Sequence, residues 1–159
     1  MPLWELRPRY ALRAACPRWV AAWKGTMFHH LSLGVARLDR AEAFYTPCLA
    51  ALGYVRLFRT ARAVGYGPEG FEGEAPFALV EGGAEARSPG RGFHLAFAAP
   101  SHDAIDRFHE AALEAGGVDE GPPGIREHYD PTYYAAFVRD PDGHRVEAVM
   151  FGRPAAVRT

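Results

Sequence analysis

The chain has 159 residues, 48% of them hydrophobic and 13% aromatic, which is enough for one domain or for two small modules sharing a core. Its formal net charge of −1 and its lack of a long apolar run argue against nucleic-acid and membrane partners. Cys16 and Cys48 form neither a disulfide framework nor a zinc site of the usual spacing, so we expect a reducing, cytoplasmic location.

Residues 1–26 differ in composition from the rest of the chain. They carry five basic residues against a single acid, Glu5, and contain all three tryptophans. They lack the apolar centre and the small-residue cleavage site of a secretory signal. We interpret the segment as a disordered or loosely packed extension, or as a mis-called start, since Met27 directly precedes the first predicted strand.

The next elements are one strand, one helix and three further strands. Alternation of apolar and polar residues predicts a strand at 28–35. A helix then begins near Asp39, where Glu42 would complete a capping box, and it ends at Gly53. Extended segments follow at 54–60, 63–65 and 76–81, with a loop at 67–73.

The same order of elements is predicted again after a linker at 82–92. A strand at 93–99 leads to a helix that begins near Asp103 and ends at Gly116 and Gly117. Strands at 118–120, 133–138 and 145–151 follow, with a turn at 140–143. We therefore predict one α+β domain at 27–152, made of βαβββ modules at 27–82 and 91–152, with a tail at 153–159.

The two modules are related by an internal repeat with an offset of 64 residues. Seven of the 25 positions from 30 to 54 are identical to their counterparts, and one identical pair is His30 and His94. A single βαβββ module leaves one face of its sheet uncovered. Two modules can solve this by curving their mixed sheets around a common cavity, to which each would contribute a histidine.

Glu147 is the third candidate ligand, because it is an acid inside the otherwise apolar last strand. An ionised carboxylate that faces a core is costly unless it is paired or bound to a cation. Two imidazoles and a carboxylate suit a divalent metal such as Zn, Ni, Mn or Fe, with positions left open for substrate. We predict a metal site formed by His30, His94 and Glu147.

The other histidines have simpler interpretations. By alternation, His29 should point to the opposite face of the strand from His30. His102, His109 and His144 lie at helix or turn positions, where we expect them to be solvated.

A segment at 124–134 combines polar aromatic residues with charge. Arg126 could hold an anionic group, His128 could transfer protons, and Tyr133 or Tyr134 could bond a bound oxygen. Alternation allows only one of the two tyrosines to face inward. A surface loop with packed tyrosine rings is the competing interpretation.

The pattern resembles the vicinal oxygen chelate superfamily, which includes glyoxalase I, extradiol dioxygenases, and fosfomycin and bleomycin resistance proteins. The resemblance covers roughly residues 27–152. It rests on HLSLGV at 30–35, FY at 44–45, LG at 52–53, GFHLAF at 92–97 and, most specifically, DPDGHRVE at 140–147. It implies paired βαβββ modules, a divalent metal bound by His30, His94 and Glu147, a small-molecule substrate and a homodimer.

This chain differs from individual members of the superfamily at positions that distinguish their activities. Glyoxalase I has a fourth ligand, a glutamate, at the position occupied by Ala78, and Glu81 reaches that position only with a three-residue shift. Extradiol dioxygenases have a catalytic tyrosine where this chain has Phe137. Fosfomycin thiol transferases have a threonine at the position of Ser32, which makes Ser32 a candidate substrate-binding residue.

These comparisons favour a metal-dependent, glyoxalase-like enzyme of the lyase or isomerase type that acts on a small oxygen-bearing substrate. The alternatives are a non-catalytic small-molecule binding or resistance protein, and a three-ligand dioxygenase or thiol transferase. Bleomycin-binding proteins lack the metal ligands, so the ligands in this chain argue against a purely sequestering role.

Overall fold

The computed structural model describes residues 28–152, so the predictions for residues 1–26 and 153–159 lie outside the described residues. Within this range, helices and strands follow in the predicted order. They are β1 (Leu31–Val35), α1 (Leu38–Ala51), β2 (Tyr54–Arg59), β3 (Ala63–Pro68), β4 (Phe77–Glu81), a short 3-10 turn (Gly83–Glu85), β5 (Leu95–Ala98), α2 (His102–Glu114), β6 (Val118–Ile125), β7 (Tyr133–Arg139) and β8 (Arg145–Phe151).

The strands form two mixed sheets of four strands each, ordered β1-β4-β3-β2 and β5-β8-β7-β6. In each sheet the first strand runs parallel to the last one, and the three later strands pair antiparallel. The α+β class and the paired βαβββ modules are therefore confirmed.

β1 begins at Leu31, three positions later than predicted. The Leu31 N–H donates to the Pro76 carbonyl at 2.9 Å. Proline has no N–H with which to continue the ladder beyond this point. His29 and His30 consequently precede the strand, so the alternation of a strand does not fix the directions of their side chains.

The predicted capping box at the start of α1 is wrong. The N-cap residue Arg37 makes no side-chain cap bond. The Leu38 N–H donates instead to the Glu81 carboxylate at the end of β4, at 3.0 Å. Asp39 and Glu42 accept hydrogen bonds from an arginine of β2, so the acids assigned to the cap hold a neighbouring strand.

The start of α2 is capped locally. Ser101 is its N-cap residue, and the Ser101 hydroxyl accepts from the Ala104 N–H at 3.1 Å. The two helices thus begin in different ways, one with a cap from a distant strand and the other with a cap from its own sequence.

One core is shared by both modules and lies on the helix-facing side of each sheet. α1 packs on β2, β3 and β4, α2 packs on β6, β7 and β8, and the helices also pack against each other. The core combines side chains from both sheets and both helices, among them Leu33, Val35, Phe44, Tyr66, Leu79, Ile105, Phe108, Val138, Val146 and Ala148. Because the core fills the space between the sheets, they do not close on one another around a cavity.

The other face of each sheet is not covered by a helix of the described chain and is partly exposed. Ser32, Gly34 and Val80 are exposed on this face of the first sheet, and Ala96 and Ala98 are exposed on the second. We call these two surfaces the open faces. Strand alternation places them on the side opposite to the shared core.

Asp140, in the turn between β7 and β8, connects the two modules. Its Oδ2 accepts from the Tyr45 hydroxyl of α1 at 2.9 Å and lies 2.9 Å from His144 Nδ1. All three residues are buried. The prediction that His144 is solvated is therefore wrong, because this carboxylate offers its ring a partner inside the protein.

These contacts also change the titration of the groups involved. The hydrogen bond to Asp140 raises the pKa of His144, although burial acts in the opposite direction. Burial, followed by the nearby Asp140 charge, raises the pKa of Tyr45. His102 is exposed as expected, whereas His109 is half-buried and its Nε2 lies 3.0 Å from an Asp119 oxygen.

Neither helix of the described range has the length and the apolar character that a membrane span requires.

Candidate functional site

The second module brings two of the predicted ligands together. His94 directly precedes β5, Glu147 lies in β8, and the two strands are paired with Ala96 opposite Glu147. His94 Nε2 lies 3.2 Å from Glu147 Oε2. The Glu147 side chain is 1% exposed and that of His94 is 52% exposed, so a buried acid meets an accessible imidazole.

Tyr133 is a further partner of this acid. It lies in β7, next to β8, and its hydroxyl donates to Glu147 Oε1 at 2.5 Å. Burial, and then this hydrogen bond to a carboxylate, raise the pKa of Tyr133, so the phenol keeps its proton at neutral pH. The two oxygens of Glu147 are thus divided between Tyr133 and His94.

Tyr134 lies on the helix-facing side of the same strand. Its hydroxyl donates to Asp106 of α2 at 2.7 Å, and its ring stacks on His102 with centroids 3.9 Å apart. The structure therefore brings only one of the two adjacent tyrosines to the His94–Glu147 pair, as alternation requires.

His128 does not reach the pair directly. Its ring contacts Tyr129, with centroids 4.2 Å apart, and Tyr129 in turn contacts Tyr133 at 5.2 Å. Tyr129 and Phe151, which the sequence did not single out, line a hollow of about 440 Å³ together with the pair and Tyr133. Both aromatic residues are largely exposed, and only the fold reveals that they border the acid.

Arg126 is held by the backbone around it. Its Nη2 donates to the carbonyls of Pro122 and Ala135, and its guanidinium lies over the Phe137 ring at 5.3 Å. Its Nε is buried and has no hydrogen-bond partner among the described residues. Part of the capacity that we expected to bind an anion is therefore occupied by main-chain oxygens.

The first module has a different constellation on its side. His30 Nδ1 lies 2.9 Å from His29 Nδ1, and His30 Nε2 lies 3.6 Å from a Glu74 oxygen. The prediction that His29 points away from His30 is therefore wrong, because both precede β1. Ser32 is exposed on the open face, opposite Ala78 of β4.

The structure does not bring His30 into a common ligand group with the second-module pair. Among residues 28–152, the histidine and acid side chains whose ligand atoms all lie within 4.8 Å of one another are His29, His30 and Glu74. His30 and His94 do border the same apolar hollow of about 580 Å³, between the modules. Within one chain, the predicted triad is therefore divided into His30 and the pair of His94 and Glu147.

The donor chemistry of the second-module pair fits a divalent cation. Glu147 is buried, and its partners among the described residues are an imidazole and a phenol rather than an arginine or lysine. A buried carboxylate is costly without a compensating positive charge. His94 and Glu147 would supply a nitrogen and an oxygen ligand, and Tyr133 would orient the acid.

A family model described as the Glyoxalase/Bleomycin resistance protein/Dioxygenase superfamily matches residues 27–148. The chain belongs to this superfamily. Most of the described domain lies within the match, and both histidines and Glu147 are included in it. A comparison with curated proteins finds none that matches.

Solved structures of this superfamily have the same fold. A glyoxalase/bleomycin resistance protein from Albidiferax ferrireducens T118 is 32% identical, with a TM-score of 0.65, and the match covers 78% of this chain and 98% of that one. A glyoxalase-related enzyme from Fulvimarina pelagi is 22% identical, with a TM-score of 0.57 and coverages of 81% and 94%. A V278E mutant of glyoxalase I from Zea mays is 24% identical, with a TM-score of 0.55 and coverages of 78% and 44%.

Ala78 occupies in the first module the position that Glu147 has in the second. Ser32, two residues after His30, pairs with Ala78, just as Ala96, two residues after His94, pairs with Glu147. Glu81 pairs with Val35, on the helix-facing side, and caps α1. Glu81 therefore lies on the opposite face of β4 from Ala78.

The position at which extradiol dioxygenases have a catalytic tyrosine, according to the resemblance, is Phe137. Phe137 lies directly opposite Glu147 in the neighbouring strand, where the resemblance placed the catalytic tyrosine of extradiol enzymes. A phenyl ring cannot donate a hydrogen bond. Tyr133 is the phenol that contacts the acid instead, from the other end of the strand.

Proposed function

We propose that this protein is a divalent-metal-dependent, glyoxalase-like enzyme of the lyase or isomerase type, acting on a small oxygen-bearing substrate. The observation that carries the proposal is Glu147, a buried carboxylate that contacts His94 and Tyr133 but no arginine or lysine of residues 28–152. Such a group is stabilised by binding a cation. His30, His94 and Glu147 would be the ligands, and the cation would be Zn, Ni, Mn or Fe.

The bound metal would supply a Lewis acid that polarises substrate oxygens. Tyr133 would hold Glu147 in place through its short hydrogen bond. His128 would carry protons at the rim of the hollow, next to Tyr129. Tyr134 has no role in this proposal, because its hydroxyl serves the helix side.

The proposal includes a homodimer, in which a second copy completes the metal site. His30 directly precedes β1 of the first sheet, whereas Glu147 lies in β8 of the second. Within one chain, His30 borders the same hollow as His94 but does not join His94 and Glu147 in one ligand group. In such a dimer, the open face of the first sheet of one copy would pack against the open face of the second sheet of its partner. His30 of one copy could then lie next to the His94–Glu147 pair of the other.

Two inactive variants can test the metal site and the dimer together. We would co-express His30→Ala with His94→Ala and measure zinc and nickel content and affinity after removal of metal with a chelator. A shared site predicts that the mixture regains about a quarter of the wild-type metal, since half of the dimers are mixed and each has one intact site.

Other results of this experiment would contradict specific parts of the proposal. Wild-type protein that binds no divalent metal would refute the metal-dependent enzyme. Metal binding by the wild type without recovery in the mixture would refute the shared site. His94→Ala protein that retains full metal affinity would refute the ligand assignment.

The second candidate function is non-catalytic binding of a small molecule. The hollow of about 580 Å³ favours it, because its lining is mainly aromatic and aliphatic, including Tyr54, Tyr66, Phe77 and Phe97. A screen of hemithioacetals, catechols and epoxides with the metal-loaded protein separates the two functions. Binding without turnover of any class would favour the binding protein, and turnover would identify the reaction.

A further inference from the structure

A basic surface lies at the turn end of the β7–β8 hairpin. Arg139 ends β7, Arg145 begins β8, and the two residues are directly opposite in the ladder. The Nε of each forms an ion pair with a different oxygen of Glu120, at 2.9 Å and 3.0 Å. Two guanidinium groups therefore share one carboxylate, and their terminal nitrogens make no hydrogen bond among the described residues.

These arginines border a cavity of about 450 Å³ that has no acidic side chain in its lining. The cavity is lined by Ser88, Gly90, Arg91, Arg139, Gly143 and Arg145. Arg91, in the linker between the modules, forms no ion pair with any described residue. Three formal positive charges thus surround one cavity in a chain whose net charge is only −1.

We propose that this cavity, the arginine pocket, binds an anionic group of the substrate, either a carboxylate or a phosphate. The paired terminal nitrogens of a guanidinium match the two oxygens of such groups. Glu120 contributes to the pocket by holding both arginines through Nε, which leaves those terminal nitrogens available. Serine and glycine at the wall allow an anion to approach without an opposing charge.

The arginine pocket adjoins the candidate metal site. Arg145 and Glu147 are two residues apart on one strand and share its face, so they are about 7 Å apart along β8. A second hollow is lined by Arg139, Arg145, His94 and Tyr129, and also by the acids Asp119 and Glu120. It shares the two strand arginines with the arginine pocket, and it shares His94 and Tyr129 with the hollow beside Glu147.

The short distance between the arginine pocket and the candidate metal site narrows the substrate class. This inference rests on the proposed function, in which oxygens at one end of the substrate bind the metal. The substrate would then carry a carboxylate or phosphate in addition to those oxygens. A neutral molecule of the same length would leave the arginine pocket unused and should bind more weakly.

Anion binding can be measured without metal. We would titrate chelator-treated, full-length protein with inorganic phosphate, acetate and neutral acetamide at low ionic strength, using NMR chemical shifts. The double variant R139Q/R145Q should weaken anion binding at least tenfold, and Arg91→Gln should weaken it about threefold. The control Arg107→Gln removes one positive charge, as Arg91→Gln does, but from α2, where Arg107 pairs with Asp103, and it should leave binding unchanged.

Each outcome decides the proposal. Binding of phosphate alone, or of acetate as well, supports it and identifies the type of anion. No anion binding, equal binding of acetamide, or an equal loss in Arg107→Gln would overturn it. If R139Q/R145Q does not fold, Arg91→Gln decides, because this residue lies in a linker. Failure of metal binding would refute the metal site and leave the arginine pocket standing.

Discussion

The two modules have the same frame but differ in where each places an acid. In the second, Glu147 lies opposite Ala96 on the face that bears His94. In the first, the equivalent position is Ala78, and the nearest acid of the strand, Glu81, lies on the other face and caps α1. Glu81 lies three positions after Ala78. Because strand side chains alternate, an odd number of positions puts Glu81 on the opposite face, where it is a structural acid rather than a candidate ligand.

The largest effect is expected when the acid of each module, Glu147 or Glu81, is replaced in turn. Glu147→Gln should weaken zinc or nickel binding by more than the roughly 10- to 100-fold that loss of an outer partner costs, because it removes a charged ligand. Glu81→Gln should leave metal affinity unchanged. Calorimetric titration of both variants measures the difference, and equal losses would show that the two acids are not distinct.

A smaller effect is expected from the two adjacent tyrosines. Tyr133→Phe removes the donor to Glu147 and should weaken metal binding about 10- to 100-fold. Tyr134→Phe removes the bond to Asp106 on the other face and should leave metal affinity unchanged. The same titrations measure both variants. Unaltered affinity in Tyr133→Phe would argue against an orienting role for the phenol.

The buried pair of His144 and Asp140 gives a pH-dependent prediction. Because Asp140 raises the pKa of His144, the charged pair should stabilise the fold fully below the unfolded-state pKa of about 6.5 and lose this contribution as pH rises through the folded-state pKa. His144→Gln should therefore destabilise the protein more at pH 5.5 than at pH 8.5, by about 1–3 kcal/mol at the lower pH.

Urea unfolding at the two pH values measures this difference in the free energy of unfolding. His102→Gln is the matched control, since His102 is an exposed histidine that stacks on Tyr134. A destabilisation by His144→Gln that grows as pH rises would contradict the assignment of the charged pair.

The smallest effects concern the two helix starts. Ser101→Ala should lower the free energy of unfolding by about 1 kcal/mol, because it removes a local cap. Asp39→Ala, at the position where a capping box was expected, should cost less than this, because Asp39 is an exposed partner of Arg59. Thermal or urea unfolding measures the two variants. A larger loss of unfolding free energy in Asp39→Ala than in Ser101→Ala would support a capping box at Asp39.

The sequence by itself determined the module pattern, the order of the elements and the family. The 64-residue repeat and the apolar periodicities predict these features, because they depend on local spacing and on which face of each element is buried. Glu147 could also be singled out, since an acid in an apolar strand needs a partner. The sequence left open whether Tyr133 or Tyr134 faces Glu147, and the register of β7 and β8 decides for Tyr133.

The tertiary structure decided what depends on contacts between distant segments. His29 turned towards His30 because Pro76 ends the ladder before both of them. His144 became buried because Asp140 and Tyr45 come together from different modules. The separation of His30 from the His94–Glu147 pair, and the gathering of three arginines in one cavity, follow from how the sheets pack on the shared core, which no local pattern encodes.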